Sequence, residues 1–406
     1  MNLNSQTQYP ALVVKAMQGE DVIGYVVLDS IIDGRSYGGL RMTPHVDDSH
    51  LRAAAHTMTL KYSFLGLARG GAKAGVRGDP EAPESQRKEK LRVFGQAIAP
   101  LLQKQMYIPY IDMGTDEHDI LGMLTASGIR IKPSKQEKPD SGHYTAVSVN
   151  ACADRAARYL GLKLSRCSVA IEGFGKVGAP LAAMMSEAGA RVVAVSTHRG
   201  AIYSSGGLDI PRLIHMARDS GSRVVETYGE AERIDKSELL ELSVDLLLPC
   251  AEPYSLHKGN AEKVSARIIC PGANNPIAPE AESLLFKRGV LVVPDFVANC
   301  GGALGATMAF ASLDHEQVVN FIHRHIGRRL ISILVEADQR GIMPKQVAER
   351  IALDRLKQRQ QKARFYKFAD GFFQAGLKLN RRGLIPHRLA KIAALKYFEK
   401  AMKCRP

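Results

Sequence analysis

The sequence predicts an α/β protein: an N-terminal α/β domain, a second domain doubly wound around a parallel sheet, and a helical C-terminal extension. Three observations predict it. At 406 residues the chain is too long for one compact core and fits two domains with additions. From about residue 165 short apolar runs alternate with helical runs (CSVAIEGFG, ARVVAVS, VDLLLP, ARIICPG, GVLVVPD), and strand–helix alternation implies a parallel, doubly wound sheet. After Gly302 the pattern is helical to the end.

The first domain is expected over residues 1–140. VIGYVVLDSII reads as a strand, and Asp33, Gly34, Gly38 and Gly39 as turns. From Asp47 the period becomes helical. Asp47, Asp48 and Ser49 offer an N-cap, and Leu51, Ala54, Ala55, Met58 and Tyr62 recur at helical spacing. The polar, Lys- and Pro-rich segment IKPSKQEKPDSGH marks the domain boundary. The doubly wound domain follows over 141–330, helices over 331–356, and a basic extension over 357–406.

Composition removes several classes. Apolar residues make up 45% and charged residues 24%, ordinary for a soluble globular chain. No apolar stretch reaches 18 residues, so no membrane span is expected. The N-terminus lacks a basic start followed by an apolar block, so the expected location is cytoplasmic. The six cysteines (152, 167, 250, 270, 300 and 404) form no CxxC pair and read as reduced thiols. No His/Cys cluster has metal-ligand spacing, so no metal is expected. The net charge of +14 resembles a nucleic-acid signal, but residues 357–406 carry 14 Lys/Arg against Asp370 and Glu399. The preceding 356 residues are therefore nearly neutral, and the basicity belongs to the tail.

Gly173, Phe174, Gly175, Lys176, Val177 and Gly178 form GFGKVG between the strand SVAIE and the helical run APLAAMMSEAG. In that context the first glycine permits a tight turn, the second lets backbone approach a pyrophosphate, and the third allows close helix–strand packing. A dinucleotide is the expected ligand, in a Rossmann arrangement; a glycine turn that has lost its ligand is the alternative. The next strand, ARVVAVS, should end on an acid that holds the adenosine ribose. It ends on Thr197, His198 and Arg199, nineteen residues after Gly178 for Thr197. Without a carboxylate to repel a 2′-phosphate, NADP stands beside NAD as the expected cofactor, unless Arg199 is only a solvated turn residue.

Three side chains stand out before residue 115. Lys61 falls on the apolar stripe of its helix, where it either is buried with an anionic partner or snorkels at the edge. Lys73 lies in GGAKAG, where small neighbours leave room for a ligand and burial lowers an ammonium pKa toward the working range. Asp112, in IPYIDMGT, is either a desolvated proton shuttle or a turn aspartate.

The blocks GGLRM, PHVD, HLRAAAHTMTLK, GGAKAGV, GDPE, IDMGTDE, VAIEGFGKVG, GAIYSSGGLD, CPGANNPIAPEAE, RGVLVVPDFVANCGG and GIMPKQVAERIA, in this order over about residues 10–355, resemble the glutamate/leucine/phenylalanine/valine dehydrogenase family. The resemblance implies reversible NAD- or NADP-dependent deamination of an L-amino acid to a 2-oxo acid and ammonia. It implies that residues 1–140 bind substrate and dimerise, that 331–356 return to that domain, and that the chain forms a homo-oligomer, dimer to octamer. Lys61 would pair with the substrate α-carboxylate, near Gly38 and Gly39. Lys73 would polarise the carbonyl, and Asp112 would move protons to and from the amine and a water. Asn299 matches an asparagine near substrate and nicotinamide, Asn274 one lining the cofactor cleft, and Ser141, loosely, a threonine entering the cofactor domain.

Two departures bear on specificity. Glutamate-specific members carry a lysine before the GG of GGLR and a serine seven residues after the ANxGG asparagine; here these are Tyr37 and Ala306. An unpaired buried carboxylate costs several kcal/mol, so an apolar side chain, branched or aromatic, is expected over glutamate, as in the leucine/phenylalanine/valine branch that the short N-terminal region also resembles. The tail is the second departure. RLAKIAALKYFEKAMK reads as an amphipathic helix with Leu389, Ile392, Ala393, Phe398 and Met402 near one face, which packs on the body or a neighbouring subunit, or meets an acidic partner, a membrane or nucleic acid. Nucleic-acid and membrane partners are not expected. Beside the enzyme stand two other classes, a catalytically inactive nucleotide sensor on the same fold and a scaffold for the basic tail.

Overall fold

A computed structural model describes residues 10–130 and 140–403, apart from the side chain of Arg364. Most of the expected boundary segment (131–139) and Cys404 lie outside the described residues. The described residues fall into two units: residues up to 130 with Ala352–Asp370, and residues from 140 to Ile351 with Gly371 onward.

The first unit contains β1 (Leu12–Gln18), β2 (Asp21–Leu28), β3 (Ser36–Thr43), α1 (Asp48–Leu65), β4 (Gly70–Arg77), α2 (Glu84–Ala97), α3 (Ala99–Gln103), β5 (Tyr107–Ile111) and α4 (Glu117–Ala126). Its sheet runs β1-β2-β4-β3-β5, with β3 parallel to both β4 and β5 and the β1-β2-β4 edge antiparallel. One face packs Leu40, Met42, Ala72, Ala74 and Val76 against Leu91 and Phe94 of α2 and Met123 of α4. The other face meets α1. Asp47 caps that helix by accepting from the Ser49 and His50 N–H groups. Gly66, in the left-handed region, ends it.

The alternation of β4 explains how α1 lies so close. Gly71 and Gly75 face α1, and a Cβ at Gly71 would sit 2.2 Å from the Thr59 nitrogen. Lys73 shares that face between the two glycines.

The second unit opens on α5 (Ser141–Tyr159). Then come β6 (Ser168–Glu172), α6 (Gly178–Glu187), β7 (Arg191–Thr197), β8 (Gly200–Tyr203), α7 (Ile210–Ser220), α8 (Val224–Thr227), β9 (Glu232–Ile234), α9 (Lys236–Glu241), β10 (Leu246–Pro249), β11 (Ile268–Ile269), α10 (Pro279–Lys287), β12 (Leu291–Val292), α11 (Asp295–Ala298), α12 (Gly301–Phe310) and α13 (His315–Arg340). The sheet runs β12-β11-β10-β6-β7-β8-β9. The five strands from β12 to β7 are parallel, as the strand–helix alternation predicts. The β7–β8 and β8–β9 pairs are antiparallel, because a two-residue turn at His198 and Arg199 folds the chain back as a hairpin.

The helices α14 (Pro344–Gln361), α15 (Ala363–Arg381) and α16 (His387–Met402) complete the chain. On α16 the buried positions are Ala390, Ala394, Phe398 and Met402. This corrects the expected apolar face: Leu389 and Ile392 are exposed at 57% and 44%, and Ala393 is exposed as well. The helix meets α13 through Phe398, edge-on to Phe321, and through Lys391, which pairs at 2.9 Å with Asp314, the N-cap of α13. Among the described residues no helix is long and apolar enough to cross a membrane.

Candidate active site

In the first unit the parallel register carries the chemistry. Tyr37 pairs with Gly71 and Ile108, Gly39 with Tyr110, and Arg41 with Gly75. Partners across parallel strands point to the same side, so Tyr37, Gly39, Arg41, Lys73 and Tyr110 share the α1 face, and Asp112 joins them just past β5.

Lys73 and Asp112 form an ion pair there through the lysine Nζ and a carboxylate oxygen. The Arg41 Nε approaches the same oxygen at 3.5 Å. Gly39 leaves the space: a Cβ there would press on the Asp112 side chain at 2.8 Å, and one at Gly38 would collide with the Ala72 carbonyl at 1.7 Å. A turn fixes the aspartate. The Asp112 N–H donates to the Thr115 hydroxyl at 3.1 Å, and that hydroxyl donates to the Leu40 carbonyl at 2.7 Å.

The electrostatics follow from burial. Lys73 is 3% exposed, and desolvation pulls its ammonium below the usual pKa; Arg41 acts in the same direction and Asp112 opposes it. Desolvation pushes Asp112 up, but Lys73, Arg41 and the Met113 N–H outweigh it and hold the carboxyl below its ordinary range. The pair thus joins an ammonium that burial makes easier to deprotonate than a free lysine to a carboxylate held in its charged form. Lys61 is buried on α1, at 5% exposure. Tyr37 stacks on Tyr110 with centroids 6.2 Å apart and meets Tyr62 edge-on.

In the second unit the glycine loop lies between β6 and α6. Gly173 has φ +94°, which favours glycine, and its N–H donates to the Ser196 hydroxyl at 3.0 Å. A Cβ at Gly178 would sit 1.8 Å from the Gly173 carbonyl oxygen, whereas none of the surrounding atoms lies within 4 Å of one at Gly175. Phe174 is buried, Val177 half-buried and Lys176 exposed. Ser141 opens α5, whose next residue, Gly142, abuts the Lys176 carbonyl.

At the end of β7 the Thr197 hydroxyl accepts from the Arg199 N–H and donates to the Ser222 carbonyl. His198 lies beside the Ser222 hydroxyl at 3.4 Å. Asn299, 3% exposed, donates through Nδ2 to the Ala273 carbonyl at 2.7 Å and to the Asn274 side-chain oxygen at 3.2 Å. Its own Oδ1 is buried without a hydrogen-bond partner. Ala306 is half-buried on α12. An open glycine cradle and an orphaned buried acceptor fit a dinucleotide with an amide donor.

Sequence reasoning passed over four residues of these constellations. Arg41 was visible in GGLRM but had no partner until β3 and β5 paired. Thr115 reads as an ordinary turn residue. Ser148 anchors the Asn299 segment, donating to the Ala298 carbonyl and accepting from the Gly301 N–H, across about 150 residues of sequence. Arg69 directly precedes β4, and its guanidinium lies 4.8 Å from the Tyr37 ring centroid.

A glycine-loop α/β unit and a unit with a buried Lys–Asp pair define a dinucleotide-dependent oxidoreductase as the class. The chain belongs to the glutamate/leucine/phenylalanine/valine dehydrogenase family: the family profile matches residues 139–364, and the profile of the family's dimerisation domain matches residues 9–137. It is an amino-acid dehydrogenase, an oxidoreductase acting on CH–NH2 donors with NAD or NADP as acceptor. It is similar to the glutamate dehydrogenase of Thermotoga maritima, 33% identical over 82% of this chain and 84% of that one. It is also similar to the NADP-specific glutamate dehydrogenase of Saccharolobus shibatae, 34% identical over 68% and 67%. Among solved structures it is similar to a hetero-hexameric glutamate dehydrogenase from Thermus thermophilus in a leucine-bound form, with a TM-score of 0.71, 25% identity, and coverage of 86% of this chain and 89% of that one.

Proposed function

We propose that the protein deaminates an L-amino acid through Lys61, Lys73 and Asp112. The observation that carries this reading is the buried Lys73–Asp112 pair, for which Gly39 makes room on its sheet face. Lys61 takes the substrate α-carboxylate. Lys73, its proton loosened by burial, activates the water that adds to the imine and stabilises the carbinolamine. Asp112 accepts a proton from the amine and returns it to the leaving ammonia. A nicotinamide dinucleotide, its pyrophosphate held by the Gly173–Gly178 loop, would supply the hydride acceptor. Asn299, its amide held by Asn274 and its Oδ1 left without a partner, would hold the cofactor by accepting an amide N–H. Residues 9–137, by their match to a dimerisation domain, carry the contacts of a homo-oligomer.

Two readings of the substrate side chain share this chemistry. Tyr37 and Ala306, which stand where glutamate-specific members have polar anchors, favour an apolar side chain, branched or aromatic. Glutamate is favoured by one observation, the Arg69 guanidinium beside Tyr37. The test is absorbance at the reduced-nicotinamide band with a panel of amino acids and both cofactors. Reduction with an amino acid supports the reading; no reduction with any of them overturns it.

A further inference from the structure

Arg69 sits between the end of α1 and the start of β4, two residues before Gly71 and four before Lys73. At about 3.3 Å per residue its Cα lies about 13 Å from that of Lys73. Its guanidinium carbon lies 4.8 Å from the ring centroid of Tyr37 and 5.7 Å from that of Tyr62. Tyr110 stacks on Tyr37 from β5 and adds to the same electrostatic surroundings. Cation–π contact and the Tyr62 hydroxyl are what the first unit offers this cation. Among the described residues no Asp or Glu carboxylate lies within 4.0 Å of it, whereas Arg41 and Arg87 both have acid partners. A half-buried guanidinium presents a planar fork that matches a carboxylate in two parallel hydrogen bonds. Leaving that fork without an anion, on the sheet face that carries the Lys73–Asp112 pair, is an expense that a structural role does not explain, since a methionine or leucine would fill the same space against three rings.

We infer that Arg69 is a specificity-determining residue, and that it binds a carboxylate at the far end of the substrate side chain. This rests on the dehydrogenase reading above and selects the second of its two substrate readings: a dicarboxylic L-amino acid, with Tyr37 and Tyr110 flanking its methylene groups. The expectation of an apolar side chain followed from the two missing anchors, Tyr37 and Ala306. Arg69 replaces them from the residue just before β4, and the register that pairs Tyr37 with Gly71 brings its guanidinium beside Tyr37, where glutamate-specific members carry the lysine.

The test is calorimetric titration of the full chain with two substrate-shaped acids that lack the amino group, glutarate and 4-methylpentanoate. Wild type should bind glutarate at least tenfold tighter. Arg69→Met should bring the two affinities within about threefold of each other, and Arg69→Lys should retain part of the preference. In turnover, the ratio of kcat/KM for glutamate over leucine should fall at least tenfold in Arg69→Met, mainly through KM. The proposal is overturned if wild type prefers 4-methylpentanoate, if neither acid binds, or if Arg69→Met keeps the preference while losing kcat on every substrate alike. Should Arg69→Met fail to fold, the wild-type titration decides alone. A glutarate preference in a protein that turns over no amino acid would sink the dehydrogenase reading and leave Arg69 standing.

Discussion

Lys73 and Asp112 are each ambiguous in the sequence and become a constellation only through the strand register. Arg41 is the third charge, and it makes a pH prediction possible. Its positive charge helps depress the Lys73 pKa, so removing it raises that pKa. If neutral Lys73 is the active form, activity rises with pH through that value. Arg41→Met should therefore shift the ascending limb of kcat/KM against pH to higher pH, read from initial rates across the profile. An unshifted limb would separate Lys73 from the pH dependence. At Thr197 the hydroxyl is already engaged on both sides, so it repels nothing. Thr197→Asp restores an acid at the end of β7, the position that the sequence pattern assigns to a ribose-binding carboxylate. It should lower kcat/KM with NADP at least tenfold while sparing NAD, measured with each cofactor in turn.

At the scale of elements, spacing made some features legible and hid others. The helix over 48–65 follows from its period and its Asp47 cap, and the glycine loop from its strand and helix neighbours. The β7–β8 hairpin was less legible, since THRG carries no Asn-Gly or Asp-Gly signal. On α16 hydrophobicity and burial part company: the small Ala390 and Ala394 are buried, whereas the larger Leu389 and Ile392 are exposed. Phe398→Ala should cost about 3–5 kcal/mol of local packing and speed hydrogen exchange throughout α16. Ile392→Ser should change exchange hardly at all. Equal effects at the two positions would contradict the assigned face. Of the candidate site, the glycine positions and the lysines were legible because small residues beside an isolated charge are unusual. Arg41, Arg69, Thr115 and Ser148 were not, because each acts on a partner remote in sequence.

At the scale of the whole molecule, the net charge of +14 resolves into a nearly neutral chain and a basic end, part of which packs on α13 through Phe398 and the Lys391–Asp314 pair. A buried acid contributes a pH dependence to the stability of the second unit. Burial pushes Glu172, at the end of β6, from 4.5 up to about 7, against a hydrogen bond from the Ser255 hydroxyl. The folded state then holds this proton more tightly than the unfolded chain, so the contribution of Glu172 to stability falls as pH rises from about 4.5 to about 7 and is level above. Glu172→Gln should remove that decline and raise stability at pH 8 by at most about 3 kcal/mol, read from denaturant unfolding at several pH values. A decline unchanged in the variant would assign it elsewhere.

That the buried Lys73, paired with Asp112, carries the deamination is tested by turnover of Lys73→Ala. Reduced-nicotinamide absorbance is measured with the best amino acid of the panel, beside a thermal melt that shows the variant folded. The expected result is a loss of at least about a thousandfold. Turnover within about tenfold of wild type in a folded variant would contradict it.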